Sequence, residues 1–355
     1  MNTVSKILLY PFALVFGLIT GFRNFLYDKK YFKSLRFDFP VISVGNLSMG
    51  GTGKTPHIEY LIFQLQYLYK VATLSRGYGR KGHGFVLADA HTPASQIGDE
   101  PRQFKLKYPE TIVAVCEDRV LGIPSILNSH PETEVILLDD AFQHRGVRAG
   151  LSILITEYAN LFTRDHLFPV GWLRESKKNY RRADMIIVSK CPSELSVIER
   201  DSLIRELKPL PYQRIYFSTL EYGTVYSFFE LGNKIQVSKD TDVLLVCGIA
   251  RFDALKGHLD NLARKVYVRD YKDHHSFDQY DLEAIRETFH NLGEVKKVLV
   301  TTEKDAARFE EHGAWFLKNK LEIFVQPIAV RFLFSDGERF TDDVLQFITS
   351  TKQKN

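Results

Sequence analysis

Residues 41–56, VISVGNLSMGGTGKTP, run from a β-branched strand through a glycine-rich turn into the start of a helix. No other stretch limits the possible folds so tightly, because such a turn cradles phosphate only when a strand feeds it and a helix leaves it. Gly50, Gly51 and Gly53 free the backbone to bend so that several N–H groups converge on phosphate oxygens, with the positive end of the next helix behind them. Ser48, Met49 and Thr52 complete the loop, Lys54 would reach the β and γ phosphates of ATP, and the Thr55 hydroxyl would hold Mg²⁺. The first glycine of the usual G-x-x-x-x-G-K-[ST] pattern is Ser48 here and the nearest upstream glycine is Gly45, so a somewhat different turn is expected. An incidental lysine after a glycine-rich turn is the plain alternative; the strand before and the helix after argue against it.

With 355 residues, 45% of them hydrophobic and 13% aromatic, the chain can bury a large core and is expected to form two domains. A formal net charge of +4 is too mild to argue for nucleic acid. Its distribution is more informative: residues 1–40 hold six basic residues (Lys6, Arg23, Lys29, Lys30, Lys33, Arg36) against Asp28 and Asp38, which is the whole excess. Cys116, Cys191 and Cys247 lie in or beside apolar runs without metal-ligand spacing, and are expected to be buried, reduced thiols. From Ile7 to Phe22 the chain is almost continuously apolar, then turns basic and aromatic. That run is shorter than the roughly 20 residues a bilayer span needs, and no small-residue cleavage site follows. A helix lying in the membrane interface or dipping into one leaflet is expected, with the cations against anionic head groups. A helix packed on the protein's own core is the alternative.

Beyond residue 40, short apolar strands alternate with helical stretches, which predicts a P-loop NTPase-like parallel sheet sandwiched by helices. Expected strands are Val41–Val44, Val71–Ser75, Ile112–Cys116, Val135–Asp139, Ser152–Thr156, Met185–Lys190 and Arg214–Ser218, interleaved with helices such as Pro56–Leu68, Pro101–Lys107, Arg119–Leu127 and Ile198–Leu207. A second, smaller α/β unit begins near Asp242. Segments Ile215–Tyr222 and Glu322–Phe332 flank it and are expected to pair as a two-stranded connector, the last helix, Asp342–Ser350, returning to the first domain. The division expected is 1–36 for the N-terminal membrane-associated helix and basic segment, 37–222 for the P-loop domain, 223–325 for the smaller domain and 326–355 for the returning strand and helix.

Val135–Asp140 is an apolar strand ending in two carboxylates; beside a P-loop strand, Asp139 and Asp140 are candidates to hold Mg²⁺ directly or through water. Ala141-Phe142-Gln143-His144-Arg145 follows and delivers polar groups to the same sheet edge, where ligands of open α/β sheets bind. In Gly98-Asp99-Glu100-Pro101 either acid could simply cap a helix, or one could serve as general base toward a hydroxyl nucleophile. Ser75–Gly82 brings cations and flexible backbone to another strand end. Asp273-His274-His275-Ser276-Phe277 places a titratable histidine between a strand and a helix in the second unit.

In this order the motifs resemble one family, the tetraacyldisaccharide 4'-kinases of Gram-negative bacteria. The resemblance extends over nearly the whole chain: SVGNLSMGGTGKTP, LSRGYGR at 74–80, GDEP at 98–101, DR at 118–119, DDAFQH at 139–144, LRE at 173–175, DHHSF at 273–277 and TTEKDA at 301–306. It implies an enzyme on the cytoplasmic side of the inner membrane that uses Mg²⁺ and ATP to phosphorylate the 4'-hydroxyl of an acylated glucosamine disaccharide 1-phosphate, a lipid partner. Carried over by position, Lys54 and Thr55 would serve ATP and metal, Asp139 and Asp140 the metal and the P-loop. Asp99 would be the catalytic base, with His274 hydrogen-bonded to it across the domains. Asn46, Ser75, Tyr78, Arg80, Arg119, Gln143, His144, Arg174 and Glu175 would meet substrate or transition state. Ala141 replaces the family's usual glycine, Trp172 a proline, and Gly248–Phe252 lacks a common Asn-Pro, so a locally different loop shape and acyl or sugar fit is expected. A membrane-associated switch ATPase shares the Gly-Gly-x-Gly-Lys-Thr core, but carries a signature lysine where Met49 stands.

Overall fold

The computed structural model describes residues 3–230, 232–293 and 296–353. The strands are β1 (Val41–Gly45), β2 (Val71–Ser75), β3 (Val86–Ala88), β4 (Ile112–Val115), β5 (Val135–Asp139), β6 (Leu151–Glu157), β7 (Met185–Ser189) and β8 (Arg214–Tyr222), then β9 (Val225–Ser227), β10 (Lys234–Ile235), β11 (Asp242–Cys247), β12 (Lys265–Asp270), β13 (Lys297–Thr302), β14 (Ile323–Gln326) and β15 (Ile328–Phe332). They form a nine-stranded sheet in the order β15-β8-β7-β6-β1-β5-β2-β4-β3 and a six-stranded sheet in the order β10-β9-β14-β13-β11-β12. In the larger sheet only the edge strands β3 and β15 run antiparallel to their neighbours.

Period-two alternation explains why both faces are covered. On β5, Val135 and Leu137 pack with Ile58, Leu61 and Ile62 of helix Lys54–Leu65 and with Phe340, Val344 and Ile348 of helix Asp336–Lys352. Ile136 and Leu138 face the other way, onto Ile123 and Ile126 of helix Arg119–Ser129. The smaller sheet repeats the scheme. Val243, Leu245 and Cys247 of β11 meet Leu255 and Leu259 on one side, and Leu244 and Val246 meet Leu282 and Ile285 on the other. All three cysteines are buried and free.

Two expectations need correction. The segment expected as one strand from Glu322 to Phe332 divides at Pro327: β14 completes the smaller sheet and β15 the larger one. The expected pairing of the two segments does occur, as β8 with β15, but it forms the edge of the larger sheet and not a separate two-stranded connector, because β8 also pairs in parallel with β7. The two chain crossings between the sheets touch where the Gly223 N–H donates to the Pro327 carbonyl at 3.0 Å. A Cβ on Gly223 would lie 3.1 Å from the Pro327 ring, so a bare backbone lets them meet.

The N-terminal helix, Thr3–Asp28, has 26 residues, longer than its apolar run because Arg23–Asp28 continues it. At 1.5 Å per residue it is about 39 Å long, and Lys6–Asp28, with mean hydropathy 1.5, is long and apolar enough to cross a membrane. Its outer face, including Ile7, Leu8, Phe12, Leu18, Ile19 and Phe22, is exposed, whereas Ala13 and Asn24 are buried against the protein. Loop residue Leu167 approaches so closely that a Cβ on Gly17 would stand 2.7 Å from its side chain. One stripe of the helix therefore packs on the protein, as the alternative reading has it, and the rest has no protein cover among the described residues.

Candidate active site

The carboxyl ends of the parallel strands place the P-loop and the Asp139-Asp140 pair side by side, with Val44 of β1 in register with Asp139 of β5. Gly50 (φ 104) and Gly53 (φ 86) take the left-handed backbone that a side chain would oppose, and Gly53 caps helix Lys54–Leu65. Gly45 serves close packing instead: a Cβ there would lie 2.6 Å from that of Phe142. The Met49 N–H donates to the Trp172 carbonyl at 2.7 Å and the Arg174 N–H to the Leu47 carbonyl at 2.8 Å. Ser48 bridges to Leu173, so the neighbouring segment shapes the turn where the common pattern has a glycine.

Asn46 supports the loop from inside. It is fully buried, and its amide donates to Thr52 Oγ1 at 2.9 Å and to the Gly50 carbonyl at 3.4 Å. His57 lies beneath the loop, a residue the sequence reading passed over. Its Nδ1 is 2.7 Å from the Gly53 carbonyl, which can only accept, and its Nε2 is 2.9 Å from the Ser218 hydroxyl. Burial brings its pKa down to about 4, so the ring is a neutral strut. Two further cations stand over the loop: Lys190 donates to the Gly51 carbonyl at 2.5 Å, and Glu157 holds both Lys190 and Arg251 at 3.1 Å.

The two carboxylates differ. Burial, reinforced by the neighbouring Asp140, pushes Asp139 up to about 7. Its Oδ2 takes a 3.5 Å contact from the buried Ser75 hydroxyl, while its Oδ1 is buried without a hydrogen-bond partner. Burial also disfavours charge on Asp140, but Lys54 and Arg174 outweigh it and hold Asp140 below the usual carboxylate range. Lys54 Nζ lies 3.5 Å and Arg174 2.9 Å from Asp140. An orphaned hard oxygen beside a second carboxylate, next to Thr55 in the first turn of the P-loop helix, is a donor set that suits Mg²⁺. Among the described residues no group of three or more His, Cys, Asp or Glu forms a metal site.

In a second cluster, Asp99 opens helix Asp99–Lys107 and His274 comes from the second unit. His274 Nδ1 is 2.8 Å from Asp99 Oδ2, and His275 instead pairs with Asp281 at 2.7 Å. Lys304 Nζ lies 3.2 Å from His274 Nε2. An ammonium only donates, so Nε2 accepts and the Nδ1–H donates to Asp99. Tyr78 packs its ring 5.1 Å from that of His274. Burial raises the pKa of Asp99, but hydrogen bonds from His274 and Arg308 prevail and bring it down to about 2. His274 (φ 59), Asp140 (φ 46) and Lys190 (φ 54) adopt a left-handed backbone, strain of order 1–3 kcal/mol each, as do five residues remote from the site.

Helix Asp99–Lys107 is fastened to helix Glu303–Phe309 and the turn after it by charge. Arg308 meets Asp99 at 2.6 Å, Lys304 meets Glu100 at 2.9 Å, Arg102 meets Glu310 at 2.6 Å, and Lys107 bridges Glu303 and Glu59 at 2.7 Å each. Burial and the nearby Glu303 push Glu59, beneath the P-loop, up to about 7 despite Lys107.

Other residues singled out in the sequence have varied surroundings. The Arg119 side chain is buried, donating to the Asp139 carbonyl at 3.3 Å, and His144 Nε2 accepts from the Arg119 backbone N–H. Burial and Arg119 bring His144 down to about 4. Gln143 bridges the Asn46 carbonyl and Glu175. Glu175 is saturated by protein donors, taking Asn24, Asn179, Arg182 and Gln143, and so ties the N-terminal helix to the site. The Arg80 guanidinium is turned onto Glu117 at 2.6 Å and braces its own loop away from the cluster.

A family model described as tetraacyldisaccharide-1-P 4'-kinase (LpxK) matches residues 5–349. The tetraacyldisaccharide 4'-kinase of Phocaeicola vulgatus is 42% identical, the alignment covering 98% of this chain and 96% of that one. The enzyme of the same description from Flavobacterium johnsoniae is 42% identical over 98% of each. A crystal structure of LpxK from Aquifex aeolicus, described as an "apo" form in complex with ATP, superposes with a TM-score of 0.74 at 26% identity, covering 97% of this chain and 99% of that one.

Proposed function

The chain belongs to the tetraacyldisaccharide-1-phosphate 4'-kinase family, and from that premise we propose how its cleft transfers the γ-phosphate of ATP to the 4'-hydroxyl of an acylated glucosamine disaccharide 1-phosphate. It is a phosphotransferase of lipid A biosynthesis with an alcohol acceptor, using ATP and Mg²⁺. The observation that carries the site assignment is the meeting of Asp99 and His274 from two separate units, 2.8 Å apart.

The P-loop backbone from Ser48 to Thr55 would cradle the phosphates, with Lys54 on the transferred group. Thr55, Asp139 and Asp140 would hold Mg²⁺, which when bound supplies neutralisation of charge on the β and γ phosphates. Asp99 accepts the proton of the 4'-hydroxyl as its oxygen forms the new bond to phosphorus and the bond to the ADP oxygen breaks. His274, held as the Nδ1–H tautomer by Lys304, keeps the carboxylate in place. Arg174, Gln143, His144 and Tyr78 line the approach to the acceptor, whereas Asn46 and Arg119, expected as substrate contacts, are buried and act by shaping the P-loop and the Asp139 strand end. The cations suit the substrate's own 1-phosphate. Ser75, Arg80 and Glu175 act through Asp139, the 75–84 loop and the N-terminal helix. The proposed division places the P-loop domain at 37–222, the smaller domain at 223–325 and the returning segment at 326–355.

An acylated disaccharide partitions into a bilayer, and the uncovered face of helix Thr3–Asp28, followed by Lys29, Lys30 and Lys33, supports a monotopic position on the cytoplasmic face of the inner membrane. Deleting residues 1–22 keeps the Asn24–Glu175 contact. The deletion is expected to abolish sedimentation with anionic vesicles and lower transfer to lipid, while the Kd for ATP stays unchanged. A loss of ATP binding of equal size would count against a membrane role.

The activity is tested by ³¹P NMR of the lipid product after incubation with Mg·ATP. A second phosphomonoester at the 4' position is expected; inorganic phosphate as the sole product would favour a switch ATPase.

A further inference from the structure

We propose that Arg308 is a positioning residue of the transfer reaction: carried by the smaller unit, it clamps Oδ2 of Asp99 so that Oδ1 is the oxygen presented to the acceptor hydroxyl. The proposal rests on the reading of Asp99 as the base.

Arg308 opens no surface ion pair. Its side chain is 6% exposed, with one guanidinium nitrogen 2.6 Å from Asp99 Oδ2 and another 2.7 Å from Asp305 Oδ1 and 3.0 Å from the Gly248 carbonyl. Asp305 is fully buried and fixed on its other oxygen by the Thr302 hydroxyl at 2.7 Å and the Gly248 N–H at 3.1 Å. Gly248 leaves the necessary room, since a Cβ there would stand 3.1 Å from the guanidinium and 3.2 Å from Asp305. A chain of fixed contacts therefore runs from Thr302 through Asp305 and Arg308 to Asp99. The planar fork of arginine joins two carboxylates in a way a lysine ammonium copies only in part.

Both donors that Asp99 accepts among the described residues, Arg308 and His274 Nδ1, fall on Oδ2. Two anchors on one oxygen fix the plane of the carboxylate and the direction of the lone pairs on the other. The same contacts make Asp99 a weaker base. That loss is tolerable where the transition state is loose, because the hydroxyl then needs alignment more than early deprotonation. Asp99 belongs to the larger unit and Arg308 to the smaller, so the aligned carboxylate exists only while the two are docked.

The test uses the full-length protein with Mg·ATP and the disaccharide 1-phosphate lipid, comparing Arg308→Gln, Arg308→Lys, Arg308→Ala with added guanidinium ion, and Asp99→Ala. Arg308→Gln is expected to keep both KM values and lose up to about 10²-fold in kcat, the scale of a misplaced reacting group. Arg308→Lys and guanidinium with Arg308→Ala should each recover part of that loss at unchanged Tm. Wild-type kcat in Arg308→Gln, with Asp99→Ala inactive, would overturn the proposal and leave the base assignment standing. Equal losses in Arg308→Gln and Arg308→Lys, with a lowered Tm and no guanidinium rescue, would make Arg308 merely structural. An active Asp99→Ala would remove the base assignment and this proposal with it.

Discussion

Asp99→Asn is expected to lower kcat for phosphate transfer to lipid by about 10²–10⁴-fold, the contribution of a positioned general base, while ATP and lipid still bind. Asparagine keeps the shape of the side chain and can still accept from His274 and Arg308 through its carbonyl oxygen, but its amide cannot take the hydroxyl proton. Loss of the negative charge also leaves Arg308 and Lys304 less compensated, so some fall in stability is expected. Steady-state kinetics beside a thermal melt separate the two effects. A collapse of kcat in a protein that still melts cooperatively is the expected pattern, and retention of wild-type kcat would assign the base elsewhere.

Lys54→Ala is the second large effect. Lys54 is the P-loop cation and lies 3.5 Å from Asp140, where it helps hold that carboxylate ionised. Removing it deletes a charge from the transferred phosphate and leaves Asp140 with Arg174 as its close partner. Loss of one preorganised donor from a transition-state site costs about 10²–10³-fold, so kcat should fall by at least that much and KM for ATP should rise. Binding to lipid vesicles should be unaltered, because the exposed apolar face of the N-terminal helix takes no part in the Lys54–Asp140 pair. An unchanged kcat would mean that the phosphate cradle lies elsewhere.

The larger sheet was legible because its signals are local. A β-branched run, a glycine turn and a helix start are contiguous in residues 41–56, and the apolar run ending in Asp139 lies beside that strand as expected. The alternation of β5 between two cores is likewise present in Val135–Leu138. What the sequence concealed depends on partners distant along the chain. Pro327 splits what reads as one strand, because β14 and β15 belong to different sheets. Arg308 is one more cation in a helical stretch until the fold sets it against Asp99, more than two hundred positions away. Arg80 and Glu175 carry the charges expected of substrate contacts, yet both are occupied by the protein itself, a distinction no motif encodes. The basic residues after Phe22 read as the end of the apolar run and not as helix, although Arg145 caps that end by pairing with Asp28 at 2.7 Å and lying over Tyr27.

A single-turnover experiment with γ-labelled ATP and excess disaccharide 1-phosphate lipid, run on the wild-type protein and Asp99→Asn, tests most directly whether this cleft is a lipid kinase with Asp99 as its base. The label should pass to the lipid in the wild type, with little released to water, and stay on ATP in Asp99→Asn. Label released to water by the wild type, or carried to lipid at the wild-type rate by Asp99→Asn, would contradict it.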